Sequence, residues 1–192
     1  MTKNQKIMLG IGAAAIFCMC AVGVGFLALR TVFQKVGQAI VTDPAKVAAV
    51  ADRIAKFDIP AGYQEEMGMD FGLYQIVMLQ DTANPNKPMI MLMGYKMADA
   101  DPQQMQEQMQ QALEQQTGQP GISWTTVDQR KVTIRGQEVN LIVREGHASS
   151  GFSMRQAIAA FNGANGTVLI MIQGDTSAWD DTLVNNFLAS IR

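Results

Sequence analysis

Residues 131–173 read KVTIRGQEVNLIVREGHASSGFSMRQAIAAFNGANGTVLIMIQ, and this stretch decides the fold class. Three apolar runs of strand length, 138–145, 152–161 and 167–173, are divided by Arg135-Gly136-Gln137, by Ser149-Ser150-Gly151 and by Asn162-Gly163-Ala164-Asn165-Gly166. Gly, Asn and Ser are turn residues, and turns this closely spaced between strands of this length favour antiparallel hairpins. Residues 122–127 and 131–134 read as two further strands leading into the first turn. The segment is a meander.

Working upstream, residues 63–67, 71–80 and 88–95 are apolar runs of strand length, divided by Gly68-Met69-Asp70 and by the turn-rich segment 81–87. In Met89-Ile90-Met91-Leu92-Met93 both faces are apolar, which predicts a strand covered on both sides. Asp43-Pro44 is a helix start, with Asp as N-cap and Pro in the first turn. Val47, Val50, Ala51 and Ile54 follow at helical spacing. Asp101-Pro102 opens a second helix with Met105, Met109, Ala112 and Leu113 on one face, and Gly118 closes it. A last helix, from about Ser177, places Leu183, Val184, Phe187, Leu188 and Ile191 on its core side. Strands in runs, rather than alternating with helices, predict an α+β domain over residues 43–192: an antiparallel sheet of about 6–8 strands sandwiched by helices. A doubly wound nucleotide-binding sheet is excluded.

The N-terminus is of a different kind. Residues 7–29, IMLGIGAAAIFCMCAVGVGFLAL, form an uncharged run. At a helical rise of about 1.5 Å per residue it spans roughly 34 Å, enough for a hydrocarbon core of about 30 Å. A signal peptide usually has a shorter apolar core and a small-residue cleavage site; here Arg30 follows Leu29 directly. A lipoprotein signal is poorly matched too, because Phe17 stands where a small residue should precede Cys18. The reading is one uncleaved transmembrane helix, with residues 1–6 as a cytoplasmic tail and 30–42 as a juxtamembrane helical linker. The domain after it is then periplasmic or extracytoplasmic on a cell inner membrane. Gly10, Ala14, Cys18, Ala21 and Gly25 line one face of the helix, and small residues let a neighbouring membrane helix approach closely. That stripe points to a membrane protein partner, besides the bilayer around residues 7–29.

Composition excludes several functions. The 192 residues carry 17% charged side chains, low for a chain wholly in water, with two Cys and one His. Disulfide scaffolds, all-cysteine zinc sites and multi-histidine centres are out of reach. Setting aside Lys3, Lys6 and Arg30 leaves 12 Lys and Arg against 17 Asp and Glu, so the part after Arg30 carries −5, the wrong sign for nucleic acid. No phosphate-binding loop and no zinc-protease motif occurs. Gly151-Phe152-Ser153-Met154-Arg155 lacks the final glycine of a nucleophile elbow. His147 is the candidate general base, with Glu145 on the same strand face as an orienting carboxylate. Among the paired carboxylates, Asp101 reads as an N-cap, Asp180-Asp181 as first-turn charges favoured by the helix dipole, and Glu65-Glu66 as divided between two strand faces. No catalytic set and no cofactor set emerges.

Methionine is the anomaly: 14 in all, 11 of them after the apolar run. Met89, Met91 and Met93 share a strand face, Met67 and Met69 repeat the spacing, and Met105 and Met109 share a helix face. Thioethers suit Cu(I), but methionine is also an adaptable core and interface residue. Its alternation with Ile90 and Leu92 favours core or interface, and Cu(I) at Met89, Met91 and Met93 is the rival reading. The glutamines at 103, 104, 106, 108, 110, 111, 115 and 116 give the second helix a polar, nearly uncharged face that a protein partner could desolvate at low cost.

The order of elements, with VTIRGQEVNLIVREG (132–146), FSMRQAIAAFNGANG (152–166) and TSAWDDTLVNNFLASIR (176–192), resembles the PsbP-like α/β/α sandwich superfamily. That superfamily includes extrinsic photosystem P proteins, a Ran-binding nuclear import factor and envelope proteins of the DcrB and LpqN type. The resemblance implies a domain that binds partners rather than catalyses; it carries over no functional residue. The expectation is a non-enzymatic, membrane-anchored binding domain, an accessory or assembly subunit of a membrane complex. The alternative is a methionine-based Cu(I) or apolar small-ligand carrier.

Overall fold

Eight strands form one antiparallel sheet in the computed structural model, which describes residues 39–96, 122–148 and 151–192 together with 102, 104 and 107. The strands are β1 (Ile40–Val41), β2 (Tyr63–Asp70), β3 (Tyr74–Asp81), β4 (Met89–Tyr95), β5 (Ile122–Ile134), β6 (Gln137–Ala148), β7 (Ser153–Asn162) and β8 (Thr167–Asp175). Their order across the sheet is β1-β2-β3-β4-β8-β7-β6-β5, so two meanders meet where β4 pairs with β8. Ile40–Arg192 is one compact unit.

Helix α1 (Pro44–Ile54) starts where the sequence places it. The Asp43 carboxylate accepts from the Lys46 amide, and Pro44 takes the first turn, where its missing N–H costs nothing. Val47, Val50, Ala51 and Ile54 are buried against β2, β3 and β4, a stripe whose burial contributes several kcal/mol at about 1.5–3 per large side chain. Helix α2 (Asp181–Ser190) begins later than the expected Ser177, after a 3₁₀ turn at Thr176–Ala178. Asp180 is its N-cap, accepting from the Thr182 and Leu183 amides at 2.9 and 3.0 Å. Only Asp181 keeps the first-turn role read for both aspartates. Val184, Phe187, Leu188 and Ile191 join the helix α1 stripe in one core with Val77, Leu79, Ile90, Leu92, Ile170 and Ile172. Both helices therefore cover the same sheet face. Pro102, Gln104 and Glu107 are helical; the rest of that predicted helix lies outside the described residues.

Three strand boundaries differ from expectation, each for a local reason. Gly68-Met69-Asp70 is not a turn. Gly68 sits in the ladder beneath α1, where an added Cβ would lie 3.0 Å from Val41 Cγ2 and 3.4 Å from Val47 Cα. The glycine admits a helix, and the turn falls at Phe71-Gly72-Leu73, with Gly72 at φ +81°. Residues 122–134 are one strand rather than two, with Val127 as the extra residue of a β-bulge between Thr126 and Asp128. Ile40 and Val41, read as the end of a helical linker, pair instead with Met69 and Gly68. Among the described residues no helix is long and apolar enough to cross a membrane; residues 7–29 and their small-residue stripe lie outside them.

Candidate interaction face

Register builds this face. Paired residues in an antiparallel ladder project to the same side, and side chains alternate every residue. Met67 pairs with Met78, Met78 with Met91, and Met91 with Met171, so one row of methionines crosses β2, β3, β4 and β8. Ile158 on β7 and Ile142 on β6 continue the row. A parallel row holds Met69, Ile76, Met93 and Leu169. Met89, two residues from Met91, and Met154, four residues from Ile158, occupy the same side. Eight methionines thus share the sheet face opposite α1 and α2.

Met93, Ile158, Ala160 and Leu169 on this face are buried, with Ile76, Met91 and Tyr95 packed against them. Met67, Met69, Met78, Met89, Met154 and Met171 are half-buried. The helix-covered face, by contrast, is built of Val, Leu and Ile with essentially no exposure. Stiff β-branched side chains specify a unique core, whereas unbranched thioethers repack at little cost.

A polar strip edges the methionines. Arg144, 3% exposed, donates through Nε to Gln156 Oε1 at 2.7 Å. Gln156 in turn donates to Gln173 Oε1 at 2.7 Å and faces the Met171 sulfur. The Arg144 guanidinium stacks over Trp124 at 4.6 Å, and the Trp124 ring lies across Gly146, its partner on β6. An added Cβ on Gly146 would sit 3.0 Å from three ring carbons, so only glycine leaves room for the indole. Trp124 Nε1 is buried with no hydrogen-bond partner among the described residues. A cleft of about 290 Å³ at the end of this face is lined by Met89, Met154, Gln173 and the half-exposed Phe152.

The structure brings Met89, Met91 and Met93 onto one face and adds Met67 and Met69 to it. Met78, Met154 and Met171 were missed, because each stands alone in its strand and joins the others only through cross-strand register. Met105 and Met109 lie outside the described residues. Among the described residues no group of three or more His, Cys, Asp or Glu could hold a metal ion.

The acid–base candidates resolve differently. His147 Nδ1 lies 2.9 Å from Ser153 Oγ, its cross-strand partner. Glu145 does not orient the imidazole: its carboxylate is 3.9 Å from Nε2, beyond hydrogen-bond range, and is taken by the Arg155 guanidinium. Glu65 and Glu66 are separated by a bulge rather than by simple alternation. Glu65 is half-buried, and burial first, then Asp52, raise its pKa.

A second cleft, about 540 Å³, lies on the α2 side between residues 58–63, Lys87-Pro88 and residues 178–190. Its ionisable groups are already committed to the fold. Tyr63 donates to the Pro88 carbonyl at 2.8 Å, and its phenol is pushed up to about 12 by burial and then by Asp81 and Asp180. Lys87 pairs with buried Asp81 at 2.7 Å, and that contact holds the Asp81 carboxyl below the usual range. Asp180 caps α2, and Asp58 pairs with Arg192. Structural duties account for each of them.

No protein-family model matches the chain, and no curated protein matches it. Among solved structures it is similar to the solution structure of cyanobacterial PsbP from Synechocystis sp. PCC 6803, at 7% identity and a TM-score of 0.47, over 72% of this chain and 92% of that one. It is also similar to LpqN, involved in cell envelope biogenesis of Mycobacterium tuberculosis, at 12% identity and a TM-score of 0.34, over 69% and 78%. Both names, PsbP and LpqN, fall within the groups that the sequence resemblance brings up. Likeness at this level carries no residue, ligand or partner to this chain.

Proposed function

We propose that this chain is a single-pass, membrane-tethered, non-enzymatic binding domain that serves as an accessory or assembly subunit of a membrane protein complex. Residues 7–29 cross the inner membrane, residues 30–39 link, and the domain from Ile40 stands on the extracytoplasmic side. The observation that carries the reading is the methionine row Met67–Met78–Met91–Met171, in which four neighbouring strands present the same adaptable, apolar side chain. Methionine-rich surfaces accept partners by repacking rather than by rigid fit. Tethering raises the effective concentration near a membrane partner, so a weak contact suffices. Site-specific photo-crosslinking in native membranes tests this. A photoreactive residue at Met67 or Met78 is expected to trap one defined membrane protein, while the same residue at exposed Glu138 traps none. Equal adducts at all three positions, or none at the methionines, would refute it.

The same row supports a second reading, a Cu(I) or apolar small-ligand carrier, because thioethers are soft ligands. Cu(I) competition titration decides between the two. Tight binding lost on Met89/Met91/Met93→Leu would replace the protein-binding reading with this one.

A further inference from the structure

Where the chain enters the sheet singles out one end of the domain. Ile40 pairs with Met69, and β2 ends one residue later at Asp70, so the first residue of the sheet lies next to the β2–β3 turn. That turn, Phe71-Gly72-Leu73, is apolar where turns are ordinarily polar. Leu73 is 73% exposed, the most exposed large hydrophobic residue among the described residues, and Tyr74 and Ile40 beside it are also exposed. The tip is built to hold its shape. The Phe71 and Tyr74 rings stack at 4.7 Å, Tyr74 stacks on Tyr95 at 6.3 Å, and the Lys96 amide donates to the Leu73 carbonyl at 2.9 Å.

Charge divides the two ends of the sheet in the same sense. Arg53, Lys96 and Arg135 lie at the entry end, against Asp70, which Arg53 already neutralises at 2.8 Å. Asp81, Asp175, Asp180 and Asp181 follow the opposite strand ends, where Lys87 is paired with Asp81. An apolar tip with tyrosine rings and flanking cations, on a domain that is otherwise acidic, matches the layered chemistry of an anionic bilayer surface. Apolar side chains reach the acyl boundary, aromatic rings sit at headgroup level, and Lys and Arg meet lipid phosphates.

We propose that the β2–β3 tip, Phe71 to Tyr74, seats in the headgroup layer of an anionic membrane, with Lys96 on lipid phosphate. This rests on the tethered reading, which places 30–39 as the short link between bilayer and Ile40. Docking at the point of entry would fix the orientation of the methionine face relative to the membrane plane. A head held at one angle presents that face to a membrane partner far more often than one swinging on a free linker.

The test uses the full chain with Cys18→Ser and Cys20→Ser, reconstituted in vesicles of phosphatidylglycerol and phosphatidylethanolamine. An environment-sensitive fluorophore is placed at Leu73→Cys or, as the control at the other end, at Ser177→Cys. Vesicle flotation reads the tether, and quenching by brominated lipid reads the docking. The expected result is co-flotation, with a blue-shifted, bromolipid-quenched probe at 73 and a water-like probe at 177. The quenching at 73 should weaken in phosphatidylcholine vesicles and be lost on adding Tyr74→Asp; the milder Lys96→Glu should weaken it without touching the core. A chain that floats with both probes water-like keeps the tether and overturns the docking. A probe at 73 that turns apolar only when membrane protein extract is added overturns it in favour of a protein contact. A chain that does not float overturns both readings.

Discussion

Replacing Gly146 by alanine puts a methyl group into the indole of Trp124. The added carbon would meet Trp124 Cδ2, Cε2 and Cε3 at 3.0 Å, about 0.5–1 Å inside the favourable separation of two carbons. Either the ring or the strand must yield. Overpacking of this kind costs about 1–3 kcal/mol. Displacing the ring also weakens the Arg144 stack at 4.6 Å, an interaction of about 0.5–2 kcal/mol. Against these stands a gain of about 0.4–1 kcal/mol from a stiffer unfolded chain. The net expectation is a loss of about 2 kcal/mol, or roughly 4–8 °C in Tm for a domain of this size. Urea unfolding followed by circular dichroism measures it, and a double-mutant cycle with Trp124→Leu isolates the cause. In the leucine background Gly146→Ala should be neutral or stabilising, since the clash has gone. An equal penalty in both backgrounds would show that the strand, not the ring, resists the methyl group, and the account of this corner would fail.

Met67, Met78, Met91 and Met171 changed singly to leucine should each cost less than about 1.5 kcal/mol, because the swap conserves volume; thermal unfolding of the four variants measures it. Tyr63, pushed up to about 12, should stay protonated through the range where an ordinary tyrosine ionises. Because its folded-state pKa is raised, its contribution is whole below about pH 10 and is lost as the pH rises toward 12; ultraviolet difference titration of wild type against Tyr63→Phe reads this directly. At Asp70 burial pushes the pKa up, but hydrogen bonds from the Gly72 amide and Gln75, with Arg53 and Lys96 nearby, hold it below the usual range. Its contribution should be whole above about pH 4 and vanish as the pH falls through the lower folded-state value; in Asp70→Asn, about 1 kcal/mol less stable, that acid-side loss should be absent from urea midpoints.

What the sequence disclosed follows from the range of the forces involved. The helix starts at Asp43-Pro44 and the buried stripe Val47, Val50, Ala51 and Ile54 are local events, written in adjacent residues, and they stand as read. The hairpins after residue 131 are likewise set by their turn residues. Gly68 misled because a glycine in a strand and a glycine in a turn look alike until the helix that needs its missing side chain is in place. Val127 misled because a bulge is a property of two strands, visible only when the partner strand is counted against it. The methionine face was legible in part for the same reason. The spacing of Met89, Met91 and Met93 shows within one strand, but Met78 and Met171 become their neighbours only through register, and β4 and β8 are far apart in the chain.

The two faces of the sheet also differ in what each can tolerate, and this bears on function more than any single side chain. On the helix side, Val77, Leu79, Ile90, Leu92, Ile170 and Ile172 are fully or almost fully buried; removing methylenes there leaves cavities at about 2–5 kcal/mol for a large-to-alanine change. That face holds the domain together and has no freedom to serve a partner. On the other side, Met78, Met91 and Met171 alternate with those same core residues along β3, β4 and β8, so each of these strands is anchored rigidly on one side and lined adaptably on the other. A protein that needed only a second core would gain specificity from branched side chains at these positions. Thioethers give up that specificity for surfaces that conform to what they meet, which is what the binding role proposed above calls for.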